Sequence, residues 1–274
     1  MEKKKGLNII TCIIIFIVML GVVCVGFFLG YKYGTKRNET PEPNNVVTAK
    51  DATDIEKQEM EKIAKLVFVE SKKNLKAEDL TADQKINIAL QLTDGGYEAS
   101  GEDLRNNFKK YFGSDIKLEF PNIKCGMEHE SEDQNYMYIF DKEKDKYVYN
   151  EKHPGHGGGT ANSYSSYLEG KTATVTSNKY VLEAPVIIYG GVYCDDVSGC
   201  HYEAAYKTYD DAKNKTNALV NLTKNETYWT GPENEPQKFE EKKLYDDYKD
   251  KLNSVKFVFE KDGDNLIFKS YSMD

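Results

Sequence analysis

From Gly6 to Tyr31 the chain runs for 26 residues without a charged side chain. As a helix such a segment reaches about 39 Å, more than the roughly 30 Å of a bilayer's hydrocarbon core. Ile, Val, Leu and Phe dominate Leu7 to Leu29, and a helix pairs its own backbone polar groups, which lipid would otherwise leave unsatisfied at several kcal/mol each. The segment is expected to be a transmembrane anchor over residues 7–31, preceded by a cytoplasmic basic tail, residues 1–6. A cleavable signal peptide is the competing reading, because Lys3, Lys4 and Lys5 form a basic leader. Against it, the stretch exceeds the usual apolar length of about 7 to 15 residues and no A-x-A site follows. Lipidation at Cys24 is disfavoured by Leu20-Gly21-Val22-Val23, which puts no small residue directly before the cysteine.

Orientation rests on a tie: Lys3, Lys4 and Lys5 on one flank face Lys32, Lys36 and Arg37 on the other. A short basic tail before a single span predicts a cytoplasmic N-terminus and an exported C-terminal region. Residues 1–37 carry net +5 and the whole chain −8, which leaves −13 on residues 38–274. That balance excludes a general nucleic-acid binder.

Residues 32–52 are polar, contain Pro41 and Pro43, and read as a tether. Residues 53–274 then form the exported domain, helical over 53–113 and β-rich over 120–274. Thr53-x-x-Glu56 and Thr81-x-x-Gln84 are capping boxes. The first precedes Ile55, Met60, Ile63, Ala64 and Val67, and the second precedes Ile86, Ala89 and Leu90. A third helix is expected from Glu102 to Phe112, stopped by Gly113. Strands are expected at 136–140, 146–150, 171–177, 180–189, 202–208 and 217–222, with a further helix over 238–252. Lys256 to Phe259 and Leu266 to Phe268 flank Asp262-Gly263, which marks a hairpin turn. The fold class is therefore α+β, with an N-terminal transmembrane helix and then short helices packed on an antiparallel sheet.

With its basic tail, single span, polar tether, capped helices and Lys/Asn/Tyr-rich sheet ending in Lys261 to Tyr271, the chain resembles single-pass, membrane-anchored exported proteins of low-GC Gram-positive bacteria. Its helices followed by a sheet are also similar to a cystatin-like or nuclear-transport-factor-2-like α+β roll. That fold analogy implies no active-site residue.

All four histidines and the three cysteines outside the span fall between residues 125 and 201. Cys125, His129, His153, His156, Cys200 and His201 offer thiolate and imidazole ligands of the kind zinc takes in a tetrahedral site. Their spacing matches no standard zinc motif, and the alternative is histidines on turns and hairpin edges, with no cofactor. Cys194 and Cys200 bracket a turn-like sequence that could close a disulfide in an oxidising compartment. His156-Gly157-Gly158-Gly159 has the form of an oxyanion loop, but no G-x-S-x-G elbow accompanies it. Asp195-Asp196, Asp210-Asp211, and Asp246-Asp247 with Asp250 lack the spacing of a calcium loop and read as solvated surface. Twenty tyrosines and the single Trp229 suit either sheet packing or an exposed aromatic surface. Asn38, Asn214, Asn221 and Asn225 begin glycosylation sequons, which matter only in a glycosylating pathway.

Three functions are expected in order. The first is a non-enzymatic binding or scaffolding domain held at the cell membrane by its lipid-embedded anchor, with an envelope glycan or protein as partner. The second is a metal-dependent or thiol hydrolase of envelope polymers. The third is an accessory subunit of a membrane complex that packs through Gly26-x-x-x-Gly30.

Overall fold

The computed structural model describes residues 49–124, 131–154, 163–195, 199–223, 227–230 and 238–274. The expected span, most of the tether, Cys125, His129 and the His156 to Gly159 loop lie outside them. Among the described residues no helix is long and apolar enough to cross a membrane.

The chain enters with β1 (Lys50–Asp51), α1 (Asp54–Val67), β2 (Asn74–Lys76), α2 (Ala82–Leu92) and α3 (Gly101–Phe112). Both capping boxes form: Thr53 and Thr81 accept from the N–H of Glu56 and Gln84, whose side chains bond back to the cap N–H groups. The stripe of α1 is Met60, Ile63, Ala64 and Val67. Ile55, expected on that stripe, is instead 78% exposed. It lies five residues before Met60, about 140° round the helix from it.

A small three-stranded sheet follows, β3 (Ile123–Lys124), β4 (Tyr136–Asp141) and β5 (Lys146–Tyr149), in that order across the sheet. The main sheet is built on one hairpin. β6 (Ser163–Leu168) and β7 (Thr172–Thr176) pair one after the other with β8 (Lys179–Asp195), a strand of 17 residues. β6 lies in a polar stretch that gives no β signal, and it forms because β8 offers it an edge. Between β6 and β7 the register slips by one residue, opposite Pro185. Proline offers no N–H to the ladder there; the Gly170 N–H donates to the Glu61 carboxylate of α1 at 3.0 Å.

β9 (Gly199–His201), β10 (Ala204–Tyr206), α4 (Tyr209–Asn214), β11 (Val220–Asn221), β12 (Trp229–Thr230), β13 (Lys238–Phe239) and α5 (Glu241–Tyr248) come next. These pieces are shorter than their sequence suggests. Thr208 caps α4 and so ends β10, and Lys238 and Phe239 pair with β12 before α5 can begin. The chain closes with β14 (Asn253–Asp262) and β15 (Asn265–Met273). Their turn is Gly263-Asp264, because Asp262 pairs with Asn265, and Gly263 takes the left-handed φ of 59°. The expected Asp262-Gly263 turn is one residue early.

The sheet runs β1-β7-β8-β14-β15-β2, antiparallel at each pairing, with β6, β9 and β10 on the far half of β8. β2 thus falls within the part of the chain expected to be helical and joins the sheet edge. Helices α1, α2 and α3 cover one face over Leu182, Ala184, Val186, Val255, Phe257, Phe259 and Phe268. Lys269 is the extra residue of a bulge, which lets both Phe268 and Tyr271 face that core. A second cluster packs Ile187 and Tyr189 of β8 against Ala205, Leu222, Tyr228, Leu244 and Tyr245. Gly191, at φ 65°, is the bulge residue that brings Val192 onto the same side. The α+β class, with short helices on antiparallel sheet, is therefore the observed one.

Candidate functional site

Gly113 ends α3 with φ 78° and donates to the Lys109 carbonyl at 2.9 Å. A residue with a Cβ resists that conformation, so the glycine is what turns the chain into the segment Ser114 to Leu118. Three contiguous depressions, of about 600, 320 and 240 Å³, share Gly113 and Ser114 in their walls. Together they make an open groove that runs along both sides of this segment, from the α3 surface to the β14–β15 edge.

The middle depression has apolar walls from Phe108, Ile116 and Leu118, and its other side chains are Arg105, Lys109, Lys117 and Ser114. It contains no carboxylate. Arg105 is held in place by Asp145 at 2.8 Å and lies 5.2 Å over the Phe120 ring. Lys110, on the neighbouring wall, has its ammonium held above the ordinary range, first by the Tyr111 hydroxyl and then by Glu59. For Lys109 and Lys117 no ion pair is found among the described residues. Lys109 also complements the negative end of the α3 dipole, so its placement is favourable before any ligand arrives. The largest depression is mixed in charge, with Lys76 paired to Glu78 and Lys269 to Glu260, each at 3.3 Å. Apolar walls with cations above them suit an extended ligand that carries apolar groups beside carboxylates.

The Cys/His set is only partly within view. His153 is buried, with its Nδ1 3.4 Å from the Tyr149 hydroxyl. His201 is exposed, and its ring stacks on Trp229 at 5.7 Å and 23°. The two described histidines therefore sit against different aromatic neighbours. Among the described residues no group of three or more His, Cys, Asp or Glu could hold a metal ion. Cys194 and Cys200 occupy directly opposite positions on β8 and β9.

The acidic pairs have local roles. Asp211 accepts from the Thr208 hydroxyl at 2.7 Å and from Asn217 at 2.8 Å, and these bonds, Thr208's first, hold its carboxyl below the usual range. Asp246 pairs with Lys242 and Lys249, and Asp247 accepts from Tyr228 at 3.0 Å. Burial first, and Asp247 second, push the Tyr228 hydroxyl up to about 12.

The tyrosines are largely packing residues with their hydroxyls satisfied: Tyr245 donates to the Glu169 carbonyl, Tyr147 to that of Pro121 and Tyr271 to those of Val69 and Lys72. Around Trp229, whose indole N–H donates to the Leu222 carbonyl at 3.0 Å, Phe239 and Tyr202 complete an aromatic patch. Burial raises the Tyr189 hydroxyl and the Glu241 carboxyl beneath it.

The groove was not foreseen from residue types. Its one sequence signal is that residues 105–118 hold four cations, Arg105, Lys109, Lys110 and Lys117, against the single carboxylate of Asp115, in a domain that is otherwise acidic. The fold and groove define an α+β domain with helices layered on antiparallel sheet and a cation-rimmed surface groove. No family model matches the chain, and no curated protein or solved structure is significantly similar to it.

Proposed function

We propose that this chain is a single-pass membrane protein whose residues 53–274 stand outside the cytoplasm and bind, without transforming it, a protein partner at the cell envelope. The anchor rests on the uncharged run from Gly6 to Tyr31. The binding role rests on the groove along Ser114 to Leu118, where Lys109 and Lys117, beside an Arg105 already paired to Asp145, border apolar walls that contain no carboxylate. Apolar walls ask for apolar side chains and the cations for carboxylates. The partner offers an extended segment that carries both.

Two measurements test this reading. In right-side-out membrane vesicles, external protease should remove residues 53–274, and full protection would overturn the orientation. With the detergent-purified full chain, labelled peptides combining apolar and acidic residues should bind in a salt-sensitive way. Changing Lys109 and Lys117 together to Glu should weaken that binding tenfold or more, about 1.4 kcal/mol. Peptide binding that ignores the double variant overturns the groove, as does binding of an acidic glycan in preference to every peptide.

A further inference from the structure

β9 and β10 hold one register against β8. Tyr193 stands opposite His201, Cys194 opposite Cys200 and Asp195 opposite Gly199, and the same count carries on to Gly190 opposite Ala204 and Tyr189 opposite Ala205. The register is difficult to slip, because Tyr189 and Ala205 are both wholly buried in the second cluster, and a one-residue shift would carry a strand's buried side chains to the other face. The hairpin therefore places its two cysteines at directly facing backbone positions. Directly facing residues of an antiparallel ladder have Cα atoms about 4.5 or 5.5 Å apart, according to the kind of pair. A disulfide spans Cα separations of about 4.4 to 6.8 Å.

We propose that Cys194 and Cys200 are a thiol–disulfide site, oxidised to a cross-strand bridge by a disulfide donor. The chemistry balances as an exchange. One thiolate attacks the donor's disulfide, forms a mixed disulfide and releases one donor thiol. The second cysteine's thiolate then attacks that mixed disulfide and releases the other donor thiol. Two electrons and two protons pass from the cysteine pair to the donor. The geometry for this exchange comes from the hairpin alone. Its persistence in the cell rests on the exported reading, since an oxidising compartment preserves such bridges.

The bridge would pin the end of the hairpin on which His201 follows Cys200. His201 stacks on Trp229, the chain's one tryptophan, so the indole reports on the site.

The experiment uses the purified full chain, treated with glutathione disulfide, alkylated and cleaved at Asp195 or Asp196. The expected result is that the pieces holding Cys194 and Cys200 remain linked until reduced, in the wild type and equally in a Cys125→Ser variant. Cys200→Ser should leave Cys194 carrying one glutathione and no intrachain bridge. Reduction should change Trp229 emission in the wild type and leave it unchanged in Cys200→Ser. Full alkylation of both cysteines at every ratio of oxidised to reduced glutathione overturns the proposal. So does a bridge from either cysteine to Cys125. Because the measurement is made on isolated protein, its failure is distinct from a failure of the vesicle test of orientation.

Discussion

The two faces of β8 meet different kinds of partner. Leu182, Ala184 and Val186 pack under helices α1 to α3, among Phe257, Phe259 and Phe268, and the facing layer consists of helices with complete N-caps. Ile187 and Tyr189 meet Tyr228, Leu244 and Tyr245, held in place by the 8-residue α5 and by strands of two or three residues. The helix-covered face depends on apolar volume. The other face carries tyrosine hydroxyls that have to be placed, Tyr245 donating to the Glu169 carbonyl and Tyr228 to Asp247. A cluster of that kind has more to lose from a misplaced polar atom and less from a missing methylene.

Cavity formation separates the two faces most strongly. Phe257→Ala, at a position with no exposure, should cost about 3 to 5 kcal/mol and lower the denaturant midpoint of the whole domain. Leu244→Ala in the second cluster is also fully buried, and it should cost about 2 to 5 kcal/mol. If the second cluster opens as its own unit, amide exchange will quicken in residues 199–223 and 238–248 while the midpoint moves less than for Phe257→Ala. Equal shifts of the midpoint would show that the two clusters unfold together.

Gly170→Ala probes the contact between α1 and the sheet on the helix-covered face. An added Cβ would come within 2.5 Å of the Glu61 carboxylate and 2.6 Å of Leu182. It should cost about 1 to 3 kcal/mol in urea unfolding, and Glu61→Ala in the same chain should recover part of that by removing one of the two clashes.

The smallest effect is a contrast in pH. Burial opposes ionisation of Glu56, but the Thr53 N–H, Lys261 and Tyr180 outweigh it and bring the carboxyl from its ordinary 4.5 to about 2. Its folded pKa is depressed, so its contribution is present above 4.5 and is lost as pH falls from about 4.5 to about 2. Glu241 shifts the other way, raised mainly by burial. Its ionisation disfavours the folded state as pH rises above 4.5, and Glu241→Gln should be the more stable protein at neutral pH, with the difference closing on acidification. Glu56→Gln should lose stability at neutral pH and converge with the wild type near pH 2. Thermal melts of the two variants across pH 2 to 7 should diverge with opposite signs, and the same sign for both would break the comparison.

The helix-covered face of the sheet was open to reading from residue order because its devices are local. Thr53, Glu56, Thr81 and Gln84 define helix starts within four residues, Gly113 ends α3, and alternating Phe and Val mark β14. Turn and edge placement followed less well. Gly263-Asp264 rather than Asp262-Gly263 makes the final turn because the register of β14 with β15, set by Phe257, Phe259 and their partners, decides which pair closes it. Ile55 was assigned to the core by hydrophobicity, and helix geometry alone turns it outward.

The sequence by itself determined the uncharged run from Gly6 to Tyr31, the capped helices, the longer strands and the α+β class, because each is a pattern over neighbouring residues. Only the tertiary structure decided that serine-rich β6 joins β8, that Cys194 faces Cys200, and that Arg105, Lys109 and Lys117 border one groove. Those arrangements depend on register and on contacts between residues distant along the chain. Residue type at a single position carries almost none of that information.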